Sequence, residues 1–229
     1  MPKTTIEQLG EFGQSVWLDN INRSLIESGK LKQMLGLGLR GVTTNPTIFD
    51  KAISQSNDYD EKITQFSQNG KSTFEIYDAL TVADVQDAAD IFRPVYENTG
   101  RLDGYVSLEI NPELAHLDKE TKEEGRRLWR KVNRPNVMLK VPATEEGFMA
   151  VEELLAEGIN SNVTLIFSLE QYVKTAQAYL KGMKRLLEKG GDLSKAASVA
   201  SVFVSRIDTA VDVLLDKLND KETNGQIKQ

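Results

Sequence analysis

The 229-residue chain has no cysteine and a single histidine. Without thiols it can form neither structural disulfides nor thiolate metal sites. One imidazole is too few for a histidine zinc site and a poor basis for a Ser-His-Asp triad. His116 stands among Glu113, Asp118 and Lys119 and reads as a surface residue. Basic charge is also scarce. The formal net charge of −6 argues against the clustered cationic footprint of a nucleic-acid-binding surface, so an anionic ligand must be caught locally. No apolar run is long enough to span a bilayer, and the first fifteen residues lack the basic and apolar regions of a secretory leader. The expectation is a cytoplasmic protein that contacts neither nucleic acid nor membrane. Gly-x-Gly-x-x-Gly and Gly-x-x-x-x-Gly-Lys loops are missing as well, and Gly36-Leu37-Gly38 reads as a turn before a strand. A dinucleotide fold loses ground accordingly.

What is present fits one large globular domain over residues 1–229, with 40% hydrophobic and 27% charged residues. Six short β-rich runs recur: Ser15 to Asp19, Gly41 to Asn45, Tyr105 to Ile110, Asn136 to Val141, Asn162 to Phe167 and Ala200 to Arg206. Between them lie amphipathic stretches, clearest at Thr121 to Val132, Glu145 to Glu157 and Leu169 to Lys189. Strands alternating with helices predict right-handed βαβ units and a parallel sheet. The long interval from Pro46 to Gly104 has room for two or three helices, Phe74 to Asp78 reading as part of one and Val82 to Val95 as another.

Alternate residues of a strand share a face. In Asn136-Val137-Met138-Leu139-Lys140-Val141-Pro142, Val137, Leu139 and Val141 point one way while Met138 and Lys140 point the other. A primary amine thus faces an interior, unless this is an edge strand whose lysine reaches water. Desolvation would lower the lysine's pKa and leave a free amine able to attack a carbonyl. The other strands repeat the pattern. Val16 and Leu18 oppose Trp17 and Asp19; Val106, Leu108 and Ile110 oppose Ser107 and Glu109; Val163 and Leu165 oppose Asn162 and Thr164. Thr43 and Asn45 share one parity of the second strand, as do Ser201, Phe203 and Ser205 of the last.

Strands buried on both faces should be apolar throughout. One polar parity per strand, with its polar groups toward the strand ends, fits an α/β barrel of the (β/α)8 TIM type better than an open sheet, because barrel strands converge on a site at their C-terminal ends. A hydrogen-bonded polar core without chemistry is the alternative, though an amine with two carboxylates is a costly filling. Chemically the set holds a nucleophilic amine, two carboxylates able to move protons, and neutral groups suited to hydroxyls. Asp19, Glu109 and Asn45 have the oxygens for magnesium, but Lys140 already supplies positive charge there, so neither metal nor cofactor is expected. Arg206 could take a phosphate bidentately with Ser201, or pair with Asp208.

Leu18-Asp19, Gly41-Val42-Thr43-Thr44-Asn45-Pro46, Ser107-Leu108-Glu109, Leu139-Lys140-Val141-Pro142, Gly158 to Phe167 and Phe203-Val204-Ser205-Arg206-Ile207 together, and in this order, resemble the transaldolase family of class I aldolase-type barrels. The likeness runs from about Ser15 to Asp208. It implies that Lys140 forms a Schiff base with a ketose phosphate such as fructose 6-phosphate or sedoheptulose 7-phosphate, in the pentose phosphate pathway. It further implies that Asp19 takes the C4 hydroxyl proton, and that Glu109, with Thr164 positioning a water, shuttles protons. Asn45 and Asn162 would hold hydroxyls, with Ser201 and Arg206 on the phosphate and Phe203 beside them. The related fructose 6-phosphate aldolases would carry Gln in place of Glu109 and Tyr in place of Phe203, so both positions here are of the transaldolase type.

A closed barrel takes roughly 200–250 residues or more, yet only six strand motifs are in place by Asp208. Thr209 to Leu218 suffices for one helix, and residues 219–229 are polar with no β-run. The family's seventh and eighth strands find no counterpart in this sequence, so the barrel is expected to be C-terminally truncated and its activity reduced or absent. Open strand edges invite pairing, either as a homo-oligomer or with a complementing C-terminal fragment. Simple cleavage of fructose 6-phosphate, and a non-catalytic barrel fragment acting as an assembly module, are the competing readings.

Overall fold

The structure, a computed structural model, describes residues 3–217. Helix α1 (Thr5–Glu11) leads into β1 (Trp17–Leu18), α2 (Arg23–Glu27) and α3 (Lys30–Gly36). Strand β2 (Gly41–Thr43) is followed by α4 (Pro46–Ser54), α5 (Asp60–Gln68) and α6 (Thr73–Asn98). Then β3 (Val106–Glu109), α7 (Asp118–Val132), β4 (Val137–Pro142), α8 (Glu145–Ala156), β5 (Ser161–Ile166), α9 (Leu169–Glu188), β6 (Ser198–Val202) and α10 (Val204–Lys217) alternate. All six strands are parallel and each pairs with the next in sequence, giving the order β1-β2-β3-β4-β5-β6. This is a partial (β/α) barrel, in which each crossover helix covers the outer face of the sheet. Among the described residues, β1 and β6 each pair on one side only. No helix among them is long and apolar enough to cross a membrane.

The two parities read from the sequence separate into two packed layers. Outside, Val42, Val106, Leu108, Val137, Leu139, Val141 and Val163 join Val85, Ala88, Phe92, Leu128 and Leu154 of the helices in the main core. Inside, Met138 packs with Tyr96 and Tyr105 against Trp17 and Val199, an apolar plug below the strands' C-terminal ends. Register aligns the layer above the plug: Glu109 lies opposite Lys140, and Lys140 opposite Asn162.

Strand β1 contributes only two paired residues, so the segment after it is held from elsewhere. Buried Arg23 reaches Asp84 and, at 2.6 Å, Asp87 of α6. Tyr59 Oη donates to Asp84 at 2.6 Å and accepts from the Arg23 backbone N–H at 2.9 Å. This clamp fixes the start of α2, whose N-cap Asn22 accepts from the Leu25 N–H at 2.8 Å.

Three local readings are corrected. Phe74 to Asp78 and Val82 to Val95 belong to one 26-residue helix, α6; Ala79-Leu80-Thr81 between them contains no breaker, and Pro94 is accommodated inside. The last strand is Ser198–Val202, not Ala200 to Arg206. Phe203 N–H still bonds the Ile166 carbonyl, but Val204, Ile207 and Val211 then follow a helical period. Ser205 and Arg206 therefore belong to α10, where strand alternation has no meaning. Finally, a β-bulge between Val163 and Ile166 breaks the parity of β5: Leu165 has φ 62° and is 37% exposed, while Ile166 is fully buried. The polar segment 219–229 lies outside the described residues.

Gly41 is a position where no side chain fits, because a Cβ there would stand 2.5 Å from the Trp17 ring. Gly41→Ala should cost about 1–3 kcal/mol through displacement of the inner plug, read as a lower urea midpoint with an unchanged slope.

Candidate active site

Lys140 sits in the middle strand region, between β3 and β5, so the solvated edge lysine is ruled out. Only 6% of the residue is exposed. Its Nζ donates to the Thr44 carbonyl at 2.8 Å, and the buried Thr44 hydroxyl donates to the Ser107 carbonyl at 2.7 Å. The two residues lock the ends of β2 and β3 beneath the amine. Burial pushes the Lys140 pKa below the ordinary lysine value, with Glu109 and Asp19 pulling it back up. Burial raises the Glu109 carboxyl, while the Lys140 charge lowers it. Among the described residues no hydrogen bond or ion pair joins the Glu109 carboxylate to any protein group. Amine and carboxylate thus influence each other through space without a direct contact.

A cavity of about 640 Å³ opens above Lys140 at the C-terminal ends of the strands. It brings together Asp19, Asn45, Glu109, Lys140 and Thr164, and on its far side Ser201, Phe203 and Arg206. Asp19 follows β1 directly and is exposed. Asn45 caps α4, its Oδ1 accepting the Ile48 N–H at 2.9 Å, which leaves its amide nitrogen for a ligand. Thr164, 3% exposed, lies on β5. Arg206 stacks on Phe203 at 4.7 Å, and Phe203 leans on Phe167 at 5.5 Å. No ion pair ties Arg206 to Asp208 among the described residues, so the guanidinium edge is available. It lies in the first turn of the 14-residue helix α10, whose N-terminal amides favour an anion at the same place.

Asn162 is the one predicted site residue outside the cavity lining. Its Nδ2 donates to Ser107 Oγ at 3.0 Å, and its Oδ1 accepts from Ser201 Oγ at 2.7 Å. It links β3, β5 and β6 just below the cavity floor. Four contributors escaped the sequence reading of the site. Thr44 and Ser107 are fully buried hydrogen-bonders, and only the pairing of the strands shows what they hold. Lys51 lines the cavity on α4; its place four residues after Thr47 puts the two on one helix face, a signal that was there to find. Leu165 reaches the cavity only because of the bulge. His116 is on the surface, 3.4 Å from Glu146.

A family model described as transaldolase/fructose-6-phosphate aldolase matches residues 16–228. Over 222 residues the chain is 47% identical to a transaldolase of Trichodesmium erythraeum (strain IMS101), covering 96% of this chain and 58% of that protein. It is 47% identical over 210 residues to a protein named transaldolase 2 from Nostoc sp. (strain PCC 7120 / SAG 25.82 / UTEX 2576), covering 91% and 55%. A protein named transaldolase 2 from Streptomyces coelicolor (strain ATCC BAA-471 / A3(2) / M145) is 46% identical over 222 residues, covering 96% and 60%. The chain thus spans 55–60% of the length of these curated relatives.

Glu109 is the foremost charge holding the Lys140 amine protonated. Glu109→Gln should therefore shift the titration of Lys140 to lower pH still. The measurement is the pH dependence of reductive methylation at Lys140, by peptide mass; a midpoint that stays put or rises contradicts the coupling.

Proposed function

The chain belongs to the transaldolase/fructose-6-phosphate aldolase family, and from that premise we propose that its cavity transfers a dihydroxyacetone unit between sugar phosphates through a Schiff base on Lys140. One observation carries the reading: a lysine amine stripped of water, bonded to a backbone carbonyl and facing a cavity that also holds two carboxylates. Burial favours the neutral form of the amine, which is the nucleophilic one.

The steps follow from the groups at hand. Lys140 Nζ attacks the C2 ketone of fructose 6-phosphate or sedoheptulose 7-phosphate, giving a carbinolamine. Glu109, its carboxyl raised by burial, protonates the departing hydroxyl, and one water leaves as the iminium forms. Thr164 holds that water beside Glu109. Asp19 then takes the proton of the C4 hydroxyl. The C3–C4 electron pair passes into the iminium and the aldose phosphate departs. The enamine left on Lys140 adds to a second aldose phosphate, classically glyceraldehyde 3-phosphate, and the sequence reverses. Asn45 holds the hydroxyls of the three-carbon unit, Asn162 steadies the cavity floor from below through Ser107 and Ser201, and Arg206, Ser201 and the α10 N-terminus take the phosphate. The setting is the pentose phosphate pathway of the cytoplasm. The relatives named above carry the name transaldolase, which favours transfer over simple cleavage.

Borohydride reduction of the chain mixed with fructose 6-phosphate should leave a stable adduct mapping to Lys140. Lys140→Ala should abolish it while the fold survives. Asp19→Asn should keep the adduct but stop release of the aldose phosphate. An adduct elsewhere, or none in folded protein, overturns the reading. Free dihydroxyacetone accumulating without an acceptor would favour simple cleavage.

A further inference from the structure

Glu109 borders a second cavity. On the side of its carboxylate toward α6 lies a space of about 300 Å³, between that helix and the turn that follows β3. The two cavities share only Pro46, Glu109 and Pro112 among their lining residues. Glu109 is thus the polar group in the partition between them. Its carboxylate is half-buried and receives no protein hydrogen bond among the described residues. A buried carboxylate without protein partners is expensive unless water solvates it. The space behind it is large enough for several waters, and has polar groups to hold them in Tyr77, Asn111 and Glu113. Burial first, and then the charges of Glu109, Asp50 and Asp78, push the Tyr77 hydroxyl pKa up to about 12.

Charge separates the two cavities by what they admit. The front one is lined by Lys51, Lys140 and Arg206. The rear one is lined by Asp78, Glu109, Glu113 and Glu124 and by no lysine or arginine among the described residues, with Asp78 paired to Arg127 and Lys131 and Glu124 paired to Arg127 behind the lining. A sugar phosphate thus finds lining cations only in the front cavity, whereas neutral water is free to enter either. Condensation of a ketone with an amine yields an imine and one water, and hydrolysis consumes one. With a sugar phosphate filling the front cavity, that water needs another way out.

We infer that the cavity between α6 and the β3–α7 turn is a water port, through which Glu109 exchanges the water of Schiff-base formation and hydrolysis while substrate occupies the front. The inference rests on the Schiff-base reading of Lys140. A route changes rates in both directions and leaves the equilibrium alone, which separates this role from a general loss of structure.

Two variants occlude the space from different places. Thr81→Phe fills it from buried α6, and Glu113→Trp covers it from the exposed turn after β3. The experiment follows exchange of the C2 oxygen of fructose 6-phosphate in ¹⁸O-water, above the uncatalysed rate, alongside the extent of the borohydride adduct. In variants with wild-type melting curves, the adduct at equilibrium should match the unaltered chain while oxygen exchange slows several-fold. Unchanged exchange in both folded variants overturns the port alone. No adduct on Lys140 in the unaltered chain overturns the Schiff-base reading, and the port with it.

Discussion

The hydrogen bond from Lys140 Nζ to the Thr44 carbonyl is the contact on which the arrangement of the site depends. It gives a desolvated amine one acceptor that carries no formal charge, so the lysine is held in place without being locked as an ammonium by a carboxylate in contact. A salt bridge there would have raised its pKa and spoiled the nucleophile. The acceptor stays put because Thr44 is anchored by its own hydroxyl to the carbonyl of Ser107, on the strand that carries Glu109. Below, Met138, Tyr105 and Trp17 exclude water from under the amine. Gly41 makes room for that plug by having no side chain.

The outer and inner faces of the strands were legible because period-two alternation is a local property, and β3 and β4 obey it to their ends. Lys140, Glu109 and Thr164 could be placed on one face from that alone. What alternation cannot report is a residue added to a strand. At Leu165 the bulge changes the parity, and a leucine expected against the helices lines the cavity instead. The junction of β6 and α10 failed for a related reason. Ser201, Phe203 and Ser205 alternate as a strand would, while Val204, Ile207 and Val211 recur as a helix does, and the overlap resolves only when the last ladder bond ends at Phe203. Thr44 and Asn162 illustrate a third limit: their types show that they need partners, but only strand pairing names the partners.

Asp19 depends on tertiary structure more than any other member of the site. It follows a strand of two paired residues at the edge of the sheet, where backbone bonding is weakest. Four residues later Arg23 is buried against Asp84, Asp87 and Tyr59. Removing one member of such a network strands a charge or a hydroxyl in the interior, at a cost of about 3–5 kcal/mol for a buried ion pair. A net contribution to stability is not needed to explain the clamp. A guanidinium with several directed partners admits few alternative geometries, so it confines the loop that carries Asp19 even though that carboxylate is itself exposed.

The amine and the Glu109 carboxyl share a physical logic that neither shows alone. Register puts them side by side on adjacent strands, yet their charged ends do not meet. Burial drives the lysine down and the carboxyl up, toward the neutral form of each, while their mutual attraction opposes both shifts. Closer approach would let attraction win and freeze the pair as ions. Greater separation would let burial win outright, leaving a neutral amine with no nearby acid able to give up its proton readily. At the intermediate spacing burial still leads for each group and moves both toward their neutral forms, a direction that eases proton transfer between them. Condensation and hydrolysis at one lysine require proton transfer in both directions, because the acid that loses its proton in the first must recover one for the second.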